Sequence, residues 1–326
     1  MADSNTRTAA WLLATRLGGL LAVIAATAIG ALLSFSIELA QLYETRRVAS
    51  LTDVACNSIG TAAGAFIALA IASTHRRLRA SPLSGVLGHP VATALLLSWA
   101  GYRLAPFTPV FDPGKWAAAF APLAEGGWWS PAAIVPHMLA WLVLTLAAER
   151  IATGQARRVV TIAMLVVLAG RVLFTDMLLE PAELAGMAIA LALGGLVLRL
   201  PVERAASLLA AALIVLIAIQ GLSPFDFQLA QDRFALVPFG ESLTHYRATN
   251  LPDMFLHCYS YGALVWLLAG SGLSVLPATM LGAGVVFSVE FLQTWLPGHT
   301  ADITDPLLAI AAGGLIAVFE RNGATR

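Results

Sequence analysis

Between two long apolar runs, the stretch SFSIELAQLYETRRVASLTDVACNSIG gathers Glu38, Gln41, Arg46, Arg47, Asp53 and Asn57. Glu38 and Gln41 are three apart and share one helix face. A carboxylate at the end of an apolar run is costly unless hydrated or paired, so such a group is a functional candidate. Asp53, Asn57, Gly60 and Gly64, spaced four, three and four, fall on one face of the next helix, where the glycines allow a second helix to approach. An arginine fork grips phosphate or carboxylate bidentately, while acids and amides take hydroxyls or amines. Glu38, Gln41, Arg47, Asp53 and Asn57 therefore have the chemistry of a pocket for a polar lipid head group. The two acids also have the types needed for a general base and acid, but no nucleophile with its base, no metal cluster and no phosphate loop accompanies them. Structural readings stand beside these: Glu38 closing the loop against Arg46 or Arg47, and Asp53 forming a capping box with Ser50.

The same spacing returns at the far end of the chain. AQLYETRRVASLTD at Ala40 reappears as LQTWLPGHTADITD at Leu292, so that Glu38, Gln41, Arg47 and Asp53 correspond to Glu290, Gln293, His299 and Asp305. In that second copy Ala309 replaces the asparagine, and Asp302 with Asp305 repeats the capping box. A further repeat links RLAPF at Arg103 to GLSPF at Gly221, Pro122 to Pro238, and His137 to His257. The middle of the chain retains only GRVLFTDMLLEPAELAG, with Asp176, Glu180 and Glu183 as remnants of the acids. His137 and His257 read as interfacial or capping histidines, and Trp128, Trp129 and Trp295 as interfacial anchors.

The elements that position these residues are apolar helices. The chain of 326 residues is 59% hydrophobic and 12% charged, with a mean hydropathy of +0.80. These values point to an all-α, polytopic transmembrane bundle. Ten segments qualify: 11 to 36, 54 to 74, 89 to 105, 132 to 148, 158 to 176, 181 to 198, 205 to 222, 253 to 270, 272 to 291 and 303 to 319. The repeats group them as two, four and four: a half unit at 1–80, a degenerate unit at 88–200 and a complete unit at 205–320. An even number of crossings makes the repeats parallel. Net charge is zero, which leaves no nucleic-acid footprint. With both termini cytoplasmic, the inner loops hold 12 of the 19 cations and 4 of the 19 acids, as the positive-inside rule requires. The Pro-Phe loops, APFTPVFDPGKW and SPFDFQLAQDRF, then read as re-entrant or interfacial pieces of the outer side. Cys56 and Cys258 read as small core residues, and no metal or cofactor is expected.

The pattern Glu38, Gln41, Arg47, Asp53, Asn57, Gly60, Gly64, together with SPF, VPF, Glu290, Gln293 and Asp305, resembles the VanZ-like family of bacterial membrane proteins. Residues 205 to 320 resemble a whole member and residues 30 to 70 a C-terminal half. The resemblance implies a cell-envelope role in the bacterial plasma membrane, and its name-giving member is associated with lowered susceptibility to teicoplanin. The expected activity is binding of a lipid or lipid-linked envelope precursor at the extracytoplasmic face, without catalysis. An enzyme acting on such a lipid or glycan, with Glu38 and Asp53 as acid and base, is the first alternative. A transporter is the second, disfavoured by the lack of an inverted repeat.

Overall fold

The computed structural model describes residues 20–36, 39, 54–55, 57–66, 83–124, 130–175, 177–229, 231, 233–238 and 251–324. The chain divides into two compact units, Met1–Ser84 and Gly85–Arg326. Among the described residues it is helical and has no β-strand, with two isolated bridges, Pro109 to Phe174 and Ala235 to Asp302.

In the first unit, the apolar helix Leu20–Ser36 faces a helical stretch over residues 57–66. Asn57 donates from Nδ2 to Ser34 Oγ at 3.0 Å. A Cβ added at Gly30 would come within 2.8 Å of the Thr61 side chain, whereas Gly60 and Gly64 have nothing within 4 Å. The close approach expected at Gly60 and Gly64 is thus made at Gly30, because the facing surface is the one that carries Thr61.

The second unit is built on eight main helices: α1 Pro90–Leu104, α2 Pro131–Ile151, α3 Ala156–Leu173, α4 Pro181–Val197, α5 Val202–Leu222, α6 Leu251–Gly270, α7 Val275–Gln293 and α8 Thr304–Ala324. Each coincides, within a few residues, with one of the eight apolar segments expected from residue 89 onward. Proline occupies the first turn of α1, α2 and α4, where its missing N–H would have had no helical acceptor. The apolar run interrupted by Arg171 does break, with α3 ending at Leu173 and α4 starting at Pro181.

Among the first four helices, α2 packs along α4 and also touches α1 and α3; among the last four, α6 touches α5, α7 and α8. The two sets meet by exchange, α1 against α6 and α2 against α5. Every residue of α2 from Leu139 to Ala148 is buried, as befits a helix apolar all round. Small residues set the close crossings. A Cβ at Gly186 of α4 would lie 2.7 Å from His137 Cβ and 2.8 Å from the Met138 nitrogen, so only glycine lets α4 reach α2.

By length and composition α2, α5 and α7 are long and apolar enough to cross a membrane. On α5, Ala205, Leu209 and Leu213 are buried while Leu208, Val215 and Ile219 are exposed. A helix apolar on its inner and its outer face belongs in lipid.

The segment after α1 carries the first Pro-Phe loop. The Ala105–Pro106 and Ser223–Pro224 bonds are both cis, and the phenylalanines that follow, Phe107 and Phe225, both have positive φ, at 61° and 66°. The first loop runs across the ends of α3 and α4: Val110 N donates to the Leu173 carbonyl and Leu179 N to that of Ala119. Lys115 Nζ donates to the carbonyls of Arg171, Val172 and Met177, tying the loop to the α3 end.

Candidate functional site

Glu38, Gln41, Arg47 and Asp53 lie outside the described residues, as do Cys56, Trp128, Trp129 and Asp176. Asn57 is described, and its amide joins the two helices of the first unit. Glu290, Gln293, His299 and Asp305 are all described, and two of them come together.

Glu290 sits in the last turn of α7 and is 8% exposed. It faces the carboxylates of Asp305 and Asp302, and its Oε2 accepts from the Asp302 backbone N–H at 3.2 Å. Asp302 Oδ1 accepts from Thr304 N at 2.6 Å, capping α8. The expected capping box is therefore half made. Asp302 acts as the cap, but its own N–H is taken by Glu290, and Asp305 turns instead to α6. There Tyr261 donates its hydroxyl to Asp305 Oδ2 at 2.6 Å, and His257 Nδ1 lies 3.7 Å from Asp305 Oδ1. His257 stacks on Tyr261, with ring centroids 5.5 Å apart. Three carboxylates, a phenol and an imidazole thus converge where the end of α7 and the start of α8 meet the first half of α6.

Gln293, one turn on from Glu290, donates from Nε2 to the Gly221 carbonyl at 3.0 Å and so pins the α7 end to α5. A Cβ at Gly221 would run into Val289. His299 makes no ion pair among the described residues, and its Nδ1 is buried without a hydrogen-bond partner. Trp295 is half-buried and accepts at its carbonyl from Gln228 N. Cys258, expected in the core, is exposed and free, because the buried face of α6 runs through Tyr259, Tyr261 and Gly262.

The middle of the chain holds a second cluster that sequence reasoning treated as remnants. Glu183, 0% exposed, accepts from Arg103 Nε at 2.9 Å and Nη2 at 2.8 Å, a bidentate fork. Arg171 Nε lies 3.1 Å from Glu183 Oε2, and its Nη2 donates to Glu180 Oε1 at 2.6 Å. Glu180 Oε2 lies 3.3 Å from Arg103 Nη2 and 3.6 Å from His137 Nε2. His137 is thus a largely buried partner of an acid. Facing that ring and the two guanidiniums, the Glu180 carboxyl, just outside α4, is held down at about 2. Arg103 and Arg171 sit at the ends of two apolar runs 68 positions apart, and the EPAE stretch supplies the matching acids. That equality of opposite charges at span ends was the available signal.

Chemically the clusters differ. Two cations cancel two acids in the middle cluster, whereas the last one presents acids to a hydroxyl and an imidazole. Among the described residues, no group of three or more His, Cys, Asp or Glu side chains has the geometry to hold a metal ion.

No curated protein and no solved structure matches the chain. Its beginning, with the apolar helix Leu20–Ser36 and Asn57, does match a family model: residues 6–72 carry a segment similar to VanZ/LLP1.

Proposed function

We propose that this chain is a multi-pass protein of the bacterial plasma membrane that binds a membrane lipid or lipid-linked envelope precursor at its extracytoplasmic face. In this reading about ten spans form units of two, four and four, with both termini cytoplasmic and the polar clusters at the outer ends of the helices. The VanZ-like segment and the apolar helices support the membrane setting. The exchange packing of α1 with α6 and α2 with α5 supports equivalence of the two four-helix units. So do the positive-φ phenylalanines that follow α1 and α5.

The observation that carries the binding reading is the convergence of Glu290, Asp302 and Asp305, at the ends of α7 and α8, with Tyr261 and His257 of α6 beside apolar surface. Such a cluster offers acceptors and one hydroxyl to the hydroxyls or amines of a head group, while the outward Phe287 and Phe291 meet its chains. In the VanZ-like segment, Glu38, Gln41, Arg47, Asp53 and Asn57 would add a cation for phosphate.

The facing of Glu290 and Asp305 favours a second reading, an enzyme using the pair as acid and base on a lipid or glycan. Mass spectrometry of lipids and lipid-linked glycans separates the two. The comparison is a deletion strain against strains expressing wild type or Glu38→Gln with Glu290→Gln at equal level. A lipid that co-purifies with wild type and is lost from the double variant, with the cellular inventory unchanged, is the outcome expected of binding. A modified species that appears only with wild type makes the protein an enzyme. Neither change sinks both readings. Teicoplanin susceptibility of the same strains tests the wider envelope role.

A further inference from the structure

A cavity of about 490 Å³ opens among α1, α2, α4, α5 and α6, away from the carboxylates of α7 and α8. Its volume is in the range of small-molecule sites, and its walls are amphipathic. Glu180 and Gln220 stand at helix ends, while Leu213 lies about 10 Å further in along α5. Leu139 and Leu216 continue the apolar part.

The polar part is unusual in what it leaves unpaired. Trp99, 3% exposed, and His137 line the wall, but their Nε1 and Nδ1 are sealed from it and have no hydrogen-bond partner among the described residues. Gln220 and Ser260 line the cavity and, among the described residues, make no hydrogen bond to protein through their side chains. Pro136, also in the wall, withholds the N–H that would otherwise bond to the Ala132 carbonyl.

The charges, in contrast, are spent on each other. Of the arginine and acid cluster only Glu180 lines the cavity, and it is already matched by Arg103 at 3.3 Å and Arg171 at 2.6 Å. An ionic head group would enter this site without a counter-charge, and an uncompensated charge in a low-dielectric cavity is strongly disfavoured. Hydroxyl groups, which donate and accept, suit an unpaired amide and an unpaired hydroxyl.

We infer that this cavity is a binding site for an uncharged, hydroxyl-bearing single-chain amphiphile, its chain along Leu139, Leu213 and Leu216 and its head against Gln220 and Ser260. This site lies apart from the acid cluster and adds a second ligand class to the reading above.

The test uses the full chain in lipid nanodiscs and a 1-monoacylglycerol carrying a diazirine in its chain, with crosslinked peptides mapped by mass spectrometry. Labelling of α2, α5 and α6 saturates and is displaced by unlabelled 1-oleoylglycerol. The same chain on a phosphate, 1-oleoyl-lysophosphatidate, competes at least tenfold less well. Ala133→Trp, at an exposed wall position, cuts labelling of the cavity at least tenfold, and Gln220→Leu weakens it about threefold to tenfold, the worth of one lost hydrogen bond. Labelling that never saturates, that Ala133→Trp leaves unchanged, or that lysophosphatidate displaces equally well overturns the inference.

Discussion

Replacing Glu183 by glutamine removes one negative charge from a place no solvent reaches, since Glu183 is 0% exposed and its partners Arg103 and Arg171 have side chains 6% and 7% exposed. The cluster then carries two guanidiniums against Glu180 alone, which is itself 47% exposed. Breaking a buried pair by removing one partner costs about 3–5 kcal/mol, chiefly because the other charge stays buried and uncompensated. That is a large share of a total stability of about 5–15 kcal/mol. Removing both members, as Arg103→Met with Glu183→Leu, restores neutrality between Arg171 and Glu180. It is expected to cost within about 2 kcal/mol of wild type, because apolar replacement of a buried pair is often neutral or stabilising. Reversible unfolding in mixed micelles, titrated with dodecyl sulfate and followed by circular dichroism, measures Glu183→Gln, the double variant and its two singles, Arg103→Met and Glu183→Leu. A Glu183→Gln cost below about 1 kcal/mol, or a double variant whose loss is the sum of its singles, would refute charge compensation as what holds this end of the bundle together.

The Glu180 carboxyl, held at about 2 instead of the usual 4.5, favours the folded state fully above about 4.5, and that contribution is lost as pH falls through about 2. The stability advantage of wild type over Glu180→Gln should therefore shrink as pH is lowered from 4.5 towards 2, read from thermal midpoints; an advantage constant with pH contradicts the pairing. Gly186→Ala places a methyl 2.7 Å from His137 Cβ and 2.8 Å from the Met138 nitrogen, an overpacking expected to cost about 1–3 kcal/mol in the same unfolding titration. Tyr261→Phe removes the 2.6 Å bond to Asp305 and is expected to cost about 1.5–3 kcal/mol, as for bonds to charged groups, together with loss of any lipid that co-purifies through Glu290.

The helices after residue 85 were legible because hydropathy is a sum over some twenty residues, and a few polar positions do not disturb it. All eight segments begin and end within a few residues of observed helices, and the break before Pro181 fell where proline demanded it. Pairing was less legible. Glu290 and Asp305 were singled out by type and spacing, yet Tyr261 and His257, which complete their cluster, lie on α6, Tyr261 being 44 residues before the Asp305 it bonds. Nothing local marks a tyrosine whose hydroxyl finds a carboxylate. Gln293 matched the motif as strongly as Glu290 but is occupied by a backbone carbonyl. The capping box failed for a similar reason: the local pattern at Asp302 and Asp305 is satisfied only if no tertiary group competes, and Glu290 does.

The two clusters differ in how their acids are held, by fixed positive charge in one and by neutral donors in the other. At the α1 end the chain places Arg103, and at the equivalent α5 end Gly221, whose carbonyl takes Gln293 and whose missing side chain admits Val289. The arginine brings a fixed charge that locks Glu183 in place, and a locked carboxylate has no capacity left for a ligand. The glycine brings none, so Glu290, Asp302 and Asp305 are held by neutral donors, a backbone N–H and a phenol, with an imidazole nearby. Neutral donors supply no fixed counter-charge, which leaves these acids able to take a ligand's hydroxyl or amine. The exchange of arginine for glycine at one position thus separates a structural ion cluster from a candidate binding site. Introducing the guanidinium at the second end, as Gly221→Arg, should abolish lipid co-purification there by filling the site from within. If the Gly221→Arg protein folds, shown by unchanged circular dichroism, and still retains the lipid, the acids of α7 and α8 are not its binding groups.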